Sequence, residues 1–412
     1  MTQKSLIQRD QYLERIRPFI GKDIVKVLTG IRRSGKSVML ELIQQQLITQ
    51  GVDPTQFVAY NFESLSTSHL RSASTLYQEL SQQITAIDGT AYLFLDEIQE
   101  VTDWETCINS CRVDFDCDIF ITGSNAKLLS GELATYLAGR YVEFEIFPFS
   151  FSEFLQARGV ASSDTSRVAQ EFTTYLELGG MPFLSNLPGQ TAQDRESAMQ
   201  YLRDIYNSVL LKDVVQRSNI RNVDLLERIV AYVMANVGHT FSATSIAKYF
   251  KNEGRKVAPE TILNYLSFCC DAFLLYRLRR EDTQTKKLLA INEKYYLVDH
   301  GIRQAIFSSN IRDIDQTLEN IVCLELLRRG FTVTVGKVKD KEVDFIAKKQ
   351  EQKLYIQVTY LLAAESTIQR EFSALSHVPN NYPKLVLSLD EFDFSRDGIT
   401  HRNIRDFLLH NW

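Results

Sequence analysis

The sequence predicts an α/β fold whose first part is a parallel β-sheet with crossover helices. Three short apolar runs support this prediction, because continuous apolar runs are typical of buried parallel strands. Each run ends in glycine or polar residues, which suits the carboxyl edge of such a sheet, where ligand-binding loops meet. The three runs are residues 24–28, 91–95 and 118–122.

The first run leads into a loop that matches the pattern G-x-x-x-x-G-K-[ST], a phosphate-binding loop. Its glycines allow backbone N–H groups to close around phosphate oxygens, and the following helix points its positive dipole end at the same anion. We expect Lys36 to reach the β- and γ-phosphates and the Ser37 hydroxyl to ligate Mg²⁺. The residues predicted to bind the nucleotide are Gly30, Ile31, Arg32, Arg33, Ser34, Gly35, Lys36, Ser37 and Val38.

The second run ends in Asp96-Glu97, which has the form of a Walker B motif. In that interpretation Asp96 holds Mg²⁺ and Glu97 polarises the attacking water. An acidic pair also occurs at ordinary strand ends, so the motif gains its meaning from the complete phosphate loop upstream. Together the two motifs predict an ATP site that uses Mg²⁺.

Two further polar positions follow predicted strands. The third run ends in Gly123-Ser124-Asn125, so Ser124 or Asn125 is the candidate sensor beside the γ-phosphate, and the sequence does not separate them. The alternative is a helix N-cap, where Ser and Asn are preferred. Asn61 follows the apolar run 57–60 and is a candidate switch that holds Glu97 in check. The alternative for Asn61 is a plain strand-to-loop residue.

These motifs, taken in order, resemble the AAA+-type ATPases of bacteria and archaea. Within them the chain resembles the archaeal-type branch that carries a C-terminal domain of formerly unknown function. The Walker motifs are shared by many NTPases, so the specific part of the resemblance is the series that follows them. The segments concerned are 27–37, 95–99, 122–125, 137–141, 147–154, 175–182, Asp299, Gly301, 319–320 and 342–345.

The resemblance implies that Arg140 is an arginine finger, which completes either a neighbouring subunit's site or its own. A guanidinium placed at the developing γ-phosphate charge can be worth ~10³–10⁵ in rate. This role also implies a homo-oligomer, whereas the alternative is an ion pair on a solvated face. Arg32 and Arg33 could contact the nucleotide, DNA or a partner, but exposed loop arginines often contribute nothing measurable.

Composition agrees with this assignment. The 412 residues suggest two to four domains. No run of about 18 apolar residues and no signal-peptide pattern is seen, so we expect a soluble cytoplasmic protein with no membrane partner. The six cysteines show no C-x-x-C spacing, which argues against a zinc site or a disulfide framework. A net charge of −5 means that any DNA contact requires a local basic patch.

We divide the chain into an AAA+-like P-loop ATPase core at 1–160 and three parts that follow it. Residues 161–221 show helical periodicity and suit a lid packed on the nucleotide domain. In this lid, Gly179-Gly180-Met181-Pro182 indicates a hinge, a tight turn or only a helix stop.

Residues 222–305 resemble a winged helix. Two predicted helices are followed by a third that opens at Pro259, a residue favoured at the first helical position. The basic residues of 277–280 and 286–289 suit a wing. The third helix offers few side chains for base edges, so DNA binding and protein docking both remain open for this domain.

Residues 306–412 resemble the restriction-endonuclease-like fold, a small α/β domain. Active members need an Asp followed by Glu-x-Lys, because two carboxylates hold Mg²⁺ and the lysine positions the nucleophile. Here Glu319 and Asp344 are present, but the second element is Gln357-Val358-Thr359. Since threonine cannot replace an ammonium, we predict a domain that does not cleave and serves DNA binding or assembly.

Three function classes follow from these patterns. The first is a Mg²⁺-dependent ATPase that couples hydrolysis to remodelling of, or movement on, a partner, with DNA favoured. The second is a slow nucleotide switch that acts through protein assembly, and the third is a nuclease gated by ATP. The complete Walker pair favours the first class over the second, and Thr359 disfavours the third.

Overall fold

The computed structural model describes residues 6–126, 139–187, 191–283, 288–307 and 313–410. The chain divides into two compact units, each with its own core. The first unit consists of Met1–Phe147 with Asp271–Phe273, and the second of Pro148–Cys270 with Leu274–Trp412. The finer division into four domains stays a prediction.

The first unit contains a parallel sheet, as predicted. In the described part of the chain it has five strands in the order β2-β3-β4-β1-β5, and every pairing is parallel. The third predicted strand, β4, thus lies between the strand of the phosphate loop and the strand of the acidic pair. The strands are β1 (Val25–Thr29), β2 (Phe57–Asn61), β3 (Ala91–Asp96), β4 (Cys117–Thr122) and β5 (Tyr141–Glu145).

Both faces of this sheet are covered, which explains why its strands are apolar on both sides. One face packs a core that includes Val25 and Val27, and the other a core that includes Leu28 and Met39. This alternation follows from the two-residue period of a strand. The helices of this unit are Asp10–Ile16, Lys36–Thr49, Ala73–Thr85 and Trp104–Asp114.

One charged residue lies inside strand β1. The side chain of Lys26 is fully buried and forms an ion pair with Asp118 at the start of β4. Burial lowers the pKa of Lys26, and the attraction of Asp118 opposes this effect. Asp118 also accepts a hydrogen bond of 2.9 Å from the backbone N–H of Gly21. The pair therefore ties β1 to its neighbour at the edge opposite the phosphate loop.

The second unit begins with helices. Six α-helices and a π-helical segment lead from residue 151 to residue 271 in the described part. The π-helix Val209–Gln216 continues directly from the helix before it. The α-helices are Phe151–Ala157, Thr165–Leu178, Ala192–Ser208, Val223–Ala235, Ala243–Asn252 and Pro259–Asp271.

A mixed sheet follows, with seven strands in the described residues in the order β12-β11-β10-β9-β8-β6-β7. The predicted wing is an antiparallel hairpin of β6 and β7, and β6 pairs in parallel with β8. The sheet therefore crosses the boundary that the sequence suggested at residue 305, while Lys286 and Lys287 lie outside the described residues. The strands are β6 (Leu275–Asp282), β7 (Leu288–Leu297), β8 (Thr332–Val338), β9 (Lys341–Lys349), β10 (Gln352–Val358), β11 (Lys384–Ser388) and β12 (Thr400–Asn403).

Helices cover this sheet as well. A core cluster joins side chains of β9, β10 and β11 to the helix Glu365–Ser376. The other helices of this part are His300–Phe307, Ile314–Arg328 and Ile404–Leu409. Among the residues that the structure describes, no helix is long and apolar enough to cross a membrane.

The Gly179-Gly180 segment ends the helix Thr165–Leu178 and is held by hydrogen bonds. The buried carboxylate of Asp299 accepts hydrogen bonds from the backbone N–H groups of Gly180 at 2.7 Å and Gly301 at 2.8 Å. A side chain on Gly180 would meet the backbone oxygen of Phe149 at 2.2 Å. Burial raises the pKa of Asp299, and these hydrogen bonds oppose that rise. The Asp299 carboxylate thus links the end of the helix Thr165–Leu178 to the start of the helix His300–Phe307.

Candidate nucleotide-binding site

The phosphate loop leaves the carboxyl end of β1 and enters the helix Lys36–Thr49. Gly30 has a φ of +133°, and a Cβ there would lie 2.4 Å from the backbone oxygen of Ile146. Only glycine therefore fits at the point where the loop passes the end of β5. The buried hydroxyl of Ser34 has no hydrogen-bond partner in the described part of the chain. A narrow backbone turn with an unused buried polar atom suits an oxygen-rich ligand.

Lys36 is folded back onto this loop. Its Nζ atom donates hydrogen bonds of 3.2 Å and 3.3 Å to the backbone oxygens of Gly30 and Ile31. The same ammonium lies 3.5 Å from Oε1 of Glu97. Burial lowers the pKa of Lys36, while Glu97 and Asp96 oppose this effect. An anion bound in the loop would offset the cost of holding this charge inside the protein.

Asp96 lies at the end of β3, where three side chains from other elements converge on its carboxylate. Thr122 of β4 donates a hydrogen bond of 2.5 Å to Oδ1, and the Asn61 amide donates one of 2.8 Å to Oδ2. The Ser37 hydroxyl also hydrogen-bonds to this carboxylate. Burial raises the pKa of Asp96, and the hydrogen bonds from Thr122 and Ser37 lower it. The pairing of Ser37 with Asp96 brings together the two predicted Mg²⁺ ligands.

Glu97 follows in a left-handed backbone conformation, with a φ of +54°. Its backbone N–H donates a 2.8 Å hydrogen bond to the Thr122 hydroxyl, so one threonine orients both acidic residues. The carboxylate is buried and lies between Lys36 and Gln99, whose Nε2 atom is 2.5 Å from Oε2 of Glu97. The structure therefore brings Lys36, Ser37, Asp96 and Glu97 into one site.

The candidate switch and sensors are placed as follows. The Asn61 amide acts on Asp96, while the amide that contacts Glu97 is that of Gln99. Ser124 and Asn125 are both buried just after β4, on the same edge of the sheet, and both have further contacts. Their placement suits a sensor role, and the choice between them stays open.

The three predicted arginines differ in their position relative to the site. Arg140 is exposed and precedes β5, so it lies at the amino edge of the sheet, while the phosphate loop follows the carboxyl edge. The five-residue strand β5 separates these edges, which at ~3.3 Å per residue is roughly 16 Å. This conformation therefore does not supply Arg140 to the site of its own chain. Arg32 pairs with Glu63 at 2.7 Å, and Arg33 is exposed.

Three residues near the site were not predicted to act there, although Gln99 and Thr122 lie in the segments 95–99 and 122–125 of the resemblance. Thr122 and Gln99 contact the acidic pair, and the buried Arg9 donates hydrogen bonds to the backbone oxygens of Ser34 at 3.2 Å and Phe147 at 2.9 Å. Thr122 is the last residue of its strand, and Gln99 follows Glu97 by two positions. Their places at these strand ends could have predicted a contact with the acidic pair. Arg9 lies far from the loop in sequence and gives no such signal.

A second group of charged residues lies in the mixed sheet. The Lys294 ammonium of β7 is 2.8 Å from Glu319, 2.8 Å from Glu342 and 3.5 Å from Asp344. Burial alone lowers the pKa of Lys294, but the three carboxylates together raise it above its usual value. Burial and the nearby Glu319 raise the pKa of Asp344. We call these four residues the Lys294 cluster.

The sequence lacks the expected lysine at Thr359, but the Lys294 cluster places another lysine beside Glu319 and Asp344. Asp344 accepts a 2.9 Å hydrogen bond from the backbone N–H of Val358, and the Gln357 side chain accepts one of 3.3 Å from the N–H of Asp344. Asp344 thus contacts the Gln357-Val358-Thr359 segment directly, and Glu319 shares the Lys294 ammonium with Asp344. The cation beside them comes from β7, a strand that the sequence assigned only to the predicted wing.

Comparison with known proteins places the first unit in a family. Residues 22–155 match the model of an AAA domain, and residues 169–314 match a domain of unknown function, DUF8612. A Walker-type ATPase of Pyrococcus abyssi, paby2304, is similar to 73% of this chain and 95% of its own length, with 12% identity and a TM-score of 0.48.

Two relatives match at higher identity. An uncharacterized protein of Haemophilus influenzae is 36% identical over 98% of this chain and 99% of its own length. The uncharacterized protein MJ1544 of Methanocaldococcus jannaschii is 32% identical over 85% of this chain and 77% of its own length. The chain therefore belongs to the protein family of these two relatives, and its nucleotide-binding part is an AAA domain of the P-loop ATPase type.

Proposed function

We propose that this protein is a Mg²⁺-dependent ATPase that couples ATP binding and hydrolysis to remodelling of, or movement on, DNA. The observation that carries the proposal is the convergence of Lys36, Ser37, Asp96 and Glu97 at one edge of the sheet. A structural ion-pair network would not need a loop whose glycine fits so closely against Ile146.

The residues present fit both ATP and Mg²⁺. The loop from Gly30 to Ser37 offers backbone N–H groups, a helix N-terminus and the unused Ser34 hydroxyl to phosphate oxygens. The Ser37 hydroxyl and the Asp96 carboxylate are oxygen ligands of the kind that Mg²⁺ prefers. Bound there, Mg²⁺ would neutralise charge on the phosphates.

Lys36 and Glu97 are coupled in a way that suits turnover. When the Lys36 ammonium exchanges its loop partners for phosphate oxygens, it also leaves Oε1 of Glu97. In this proposal Oε1 of Glu97 then accepts a proton from the attacking water. Thr122 keeps both acidic residues in place during this exchange, because it contacts the Asp96 side chain and the Glu97 backbone.

Arg140 is proposed to complete the site of a neighbouring subunit in a homo-oligomer. Its exposed position at the amino edge of the sheet is compatible with such a contact. An Arg140→Ala variant should bind ATP with unchanged affinity but hydrolyse it more slowly. Restoration of activity when Arg140→Ala is mixed with Glu97→Gln would support a shared site, and its absence across all mixing ratios would count against one.

The proposed DNA contact rests on the helical segment before the mixed sheet. Three helices, Val223–Ala235, Ala243–Asn252 and Pro259–Asp271, precede the β6-β7 hairpin in the order of a winged helix. Lys248 and Lys251 of the second of these helices and Arg279 of β6 are exposed and would contact phosphates. The alternative, a nucleotide switch that docks a protein partner, is favoured by the exposed apolar side chain of Leu263 on the third helix.

The Lys294 cluster supports a C-terminal sheet that does not cleave DNA. Its ammonium is almost fully buried and already contacts the carboxylates that a nuclease would offer to a metal ion. We expect no DNA cleavage with Mg²⁺ or Mn²⁺. Cleavage that disappears in Asp344→Ala would overturn this part of the proposal.

The first experiment measures steady-state ATP hydrolysis by the wild type, by Glu97→Gln and by the matched control Glu100→Gln, an exposed neighbour. Each protein is tested alone and with single-stranded, duplex and branched DNA. The proposal expects turnover that DNA stimulates, loss of turnover in Glu97→Gln and no change in Glu100→Gln. Hydrolysis that ignores every DNA would favour the nucleotide switch, and no hydrolysis at all would refute the ATPase.

A further inference from the structure

Gln99 is the second residue after the acidic pair, in the 3₁₀ turn Ile98–Glu100. Its Nε2 atom donates a 2.5 Å hydrogen bond to Oε2 of Glu97. The other carboxylate oxygen, Oε1, lies 3.5 Å from the Lys36 ammonium. The two oxygens of Glu97 therefore have different partners, one within the same turn and one in the phosphate loop.

The orientation of the Gln99 amide follows from these contacts. If the amide were turned over, its oxygen would face the Glu97 carboxylate and two acceptors would repel each other. The amide oxygen Oε1 is buried and has no hydrogen-bond partner in the part of the chain that the structure describes. A buried acceptor without a partner destabilises the fold, whereas an apolar side chain of the same length would avoid that cost. The hydrogen bond from Gln99 to Glu97 therefore comes with a buried amide oxygen, Oε1, whose hydrogen-bonding capacity is not used.

The geometry also gives the two carboxylate oxygens of Glu97 different roles: Oε2 is held by Gln99, and Oε1 would accept the proton. Lys36 is expected to approach the β- and γ-phosphates, so Oε1 of Glu97 faces the side on which phosphate would bind. When Lys36 turns to the phosphates, the hydrogen bond from Gln99 still holds Oε2. The carboxylate then keeps its direction at the moment when Oε1 must accept a proton.

We propose that Gln99 is a positioning residue that holds the Glu97 carboxylate in the orientation needed for ATP hydrolysis. This inference rests on the proposed ATPase function. It assigns to Gln99 the contact with Glu97 that the sequence suggested for Asn61, while Asn61 acts on the neighbouring Asp96. Misplacement of a catalytic group by about 1 Å can cost roughly 10²-fold in rate.

The test compares Gln99→Met, which keeps length but loses the amide, with Gln99→Asn, which keeps the amide on a shorter side chain. The matched control is Gln45→Met, an exposed glutamine in the helix Lys36–Thr49. We expect kcat to fall about 10- to 100-fold in both Gln99 variants. The KM for ATP and the Kd of a non-hydrolysable ATP analogue should stay within about threefold of the wild type.

The double variant Glu97→Gln with Gln99→Met shows whether Gln99 acts through Glu97. If it does, the double variant loses no more activity than Glu97→Gln alone. An unchanged kcat in Gln99→Met, a change confined to KM, or a further loss in the double variant would overturn the inference. If the wild type hydrolyses ATP and Gln99→Met has the same kcat, only this inference is refuted. If the wild type is inactive, both the ATPase and this inference are refuted.

Discussion

Replacing Lys294 by methionine tests the cluster in the mixed sheet. Methionine keeps the unbranched side chain and fills similar space, so the main loss is the ammonium. In the wild type this group lies 2.8 Å from Glu319 and Glu342 and 3.5 Å from Asp344. Its removal leaves carboxylates in the interior with no cation among the cluster residues.

The magnitude follows from burial. The side chains of Glu319 and Asp344 are 13% and 11% exposed, so solvent screens them poorly. Glu342 is 29% exposed and can relax toward water, so its share is smaller. Breaking a buried ion pair by removing one partner costs about 3–5 kcal/mol. We expect a loss in this range for the second unit at pH 7.5.

The loss should also depend on pH. Burial and Glu319 already raise the pKa of Asp344, and Lys294 opposes that rise, so without the ammonium the pKa of Asp344 should rise further in the folded state. A group whose pKa is raised by folding stabilises the protein at low pH and loses that effect as pH rises through the folded pKa. The difference between Lys294→Met and the wild type should therefore shrink between pH 7.5 and pH 5.

Because the chain has two compact units, global unfolding is not expected to be two-state, and a local measurement is needed. Hydrogen exchange followed by mass spectrometry on β9 and on the helix Ile314–Arg328 provides it. A loss of 3–5 kcal/mol corresponds to roughly 10²- to 10⁴-fold faster exchange through local opening. The matched control is Lys251→Met, an exposed lysine of the same unit. A Lys294→Met protein as protected as the control at pH 7.5 would refute the reasoning.

Two further predictions concern other positions. Gly30→Ala should abolish ATP binding in a titration, because its Cβ would lie 2.4 Å from the backbone oxygen of Ile146, whereas Gly51→Ala, which also has a positive φ but no atom within 4 Å, should bind normally. Equal affinities would contradict the close packing of the loop. The Nε2 atom of His300 donates a 2.6 Å hydrogen bond to the backbone oxygen of Tyr175, and burial lowers the pKa of His300 although Asp299 opposes this. A lowered folded pKa gives stability that is complete above about pH 6.5 and is lost as pH falls below it. Hydrogen exchange in the helix His300–Phe307 at pH 7.5 and 5.5 should therefore show a smaller loss of protection for His300→Gln than for the wild type.

The nucleotide site was largely predictable because its motifs are short and contiguous. Gly30, Lys36 and Ser37 lie within one loop, and Asp96 and Glu97 are adjacent at a strand end. Parallel strands bring their carboxyl ends to one edge, so the order of motifs along the chain was enough to predict that they meet. The placement of β4 between β1 and β3 followed from the same argument.

Contacts between side chains on different elements were less predictable. The sequence suggested Asn61 as the partner of Glu97, but the register of β2 against β3 sets Asn61 opposite Asp96. Arg140 was assigned to the nucleotide site of its own chain or a neighbour, and its position before β5 sets it at the edge of the sheet opposite its own phosphate loop, so a role in a neighbour's site stays a proposal. Both outcomes depend on strand register and direction, which no local pattern in the sequence reports.

By itself the sequence determined the P-loop fold and the AAA-type motifs, and it predicted which residues would bind ATP and Mg²⁺. Only the tertiary structure decided that Gln99 holds Glu97 and that Lys294 is the cation beside Glu319 and Asp344. The reason is physical. A loop that binds phosphate is specified by its own backbone, whereas a buried charge takes its partner from whichever strand or turn the packing of the whole unit brings within about 3 Å.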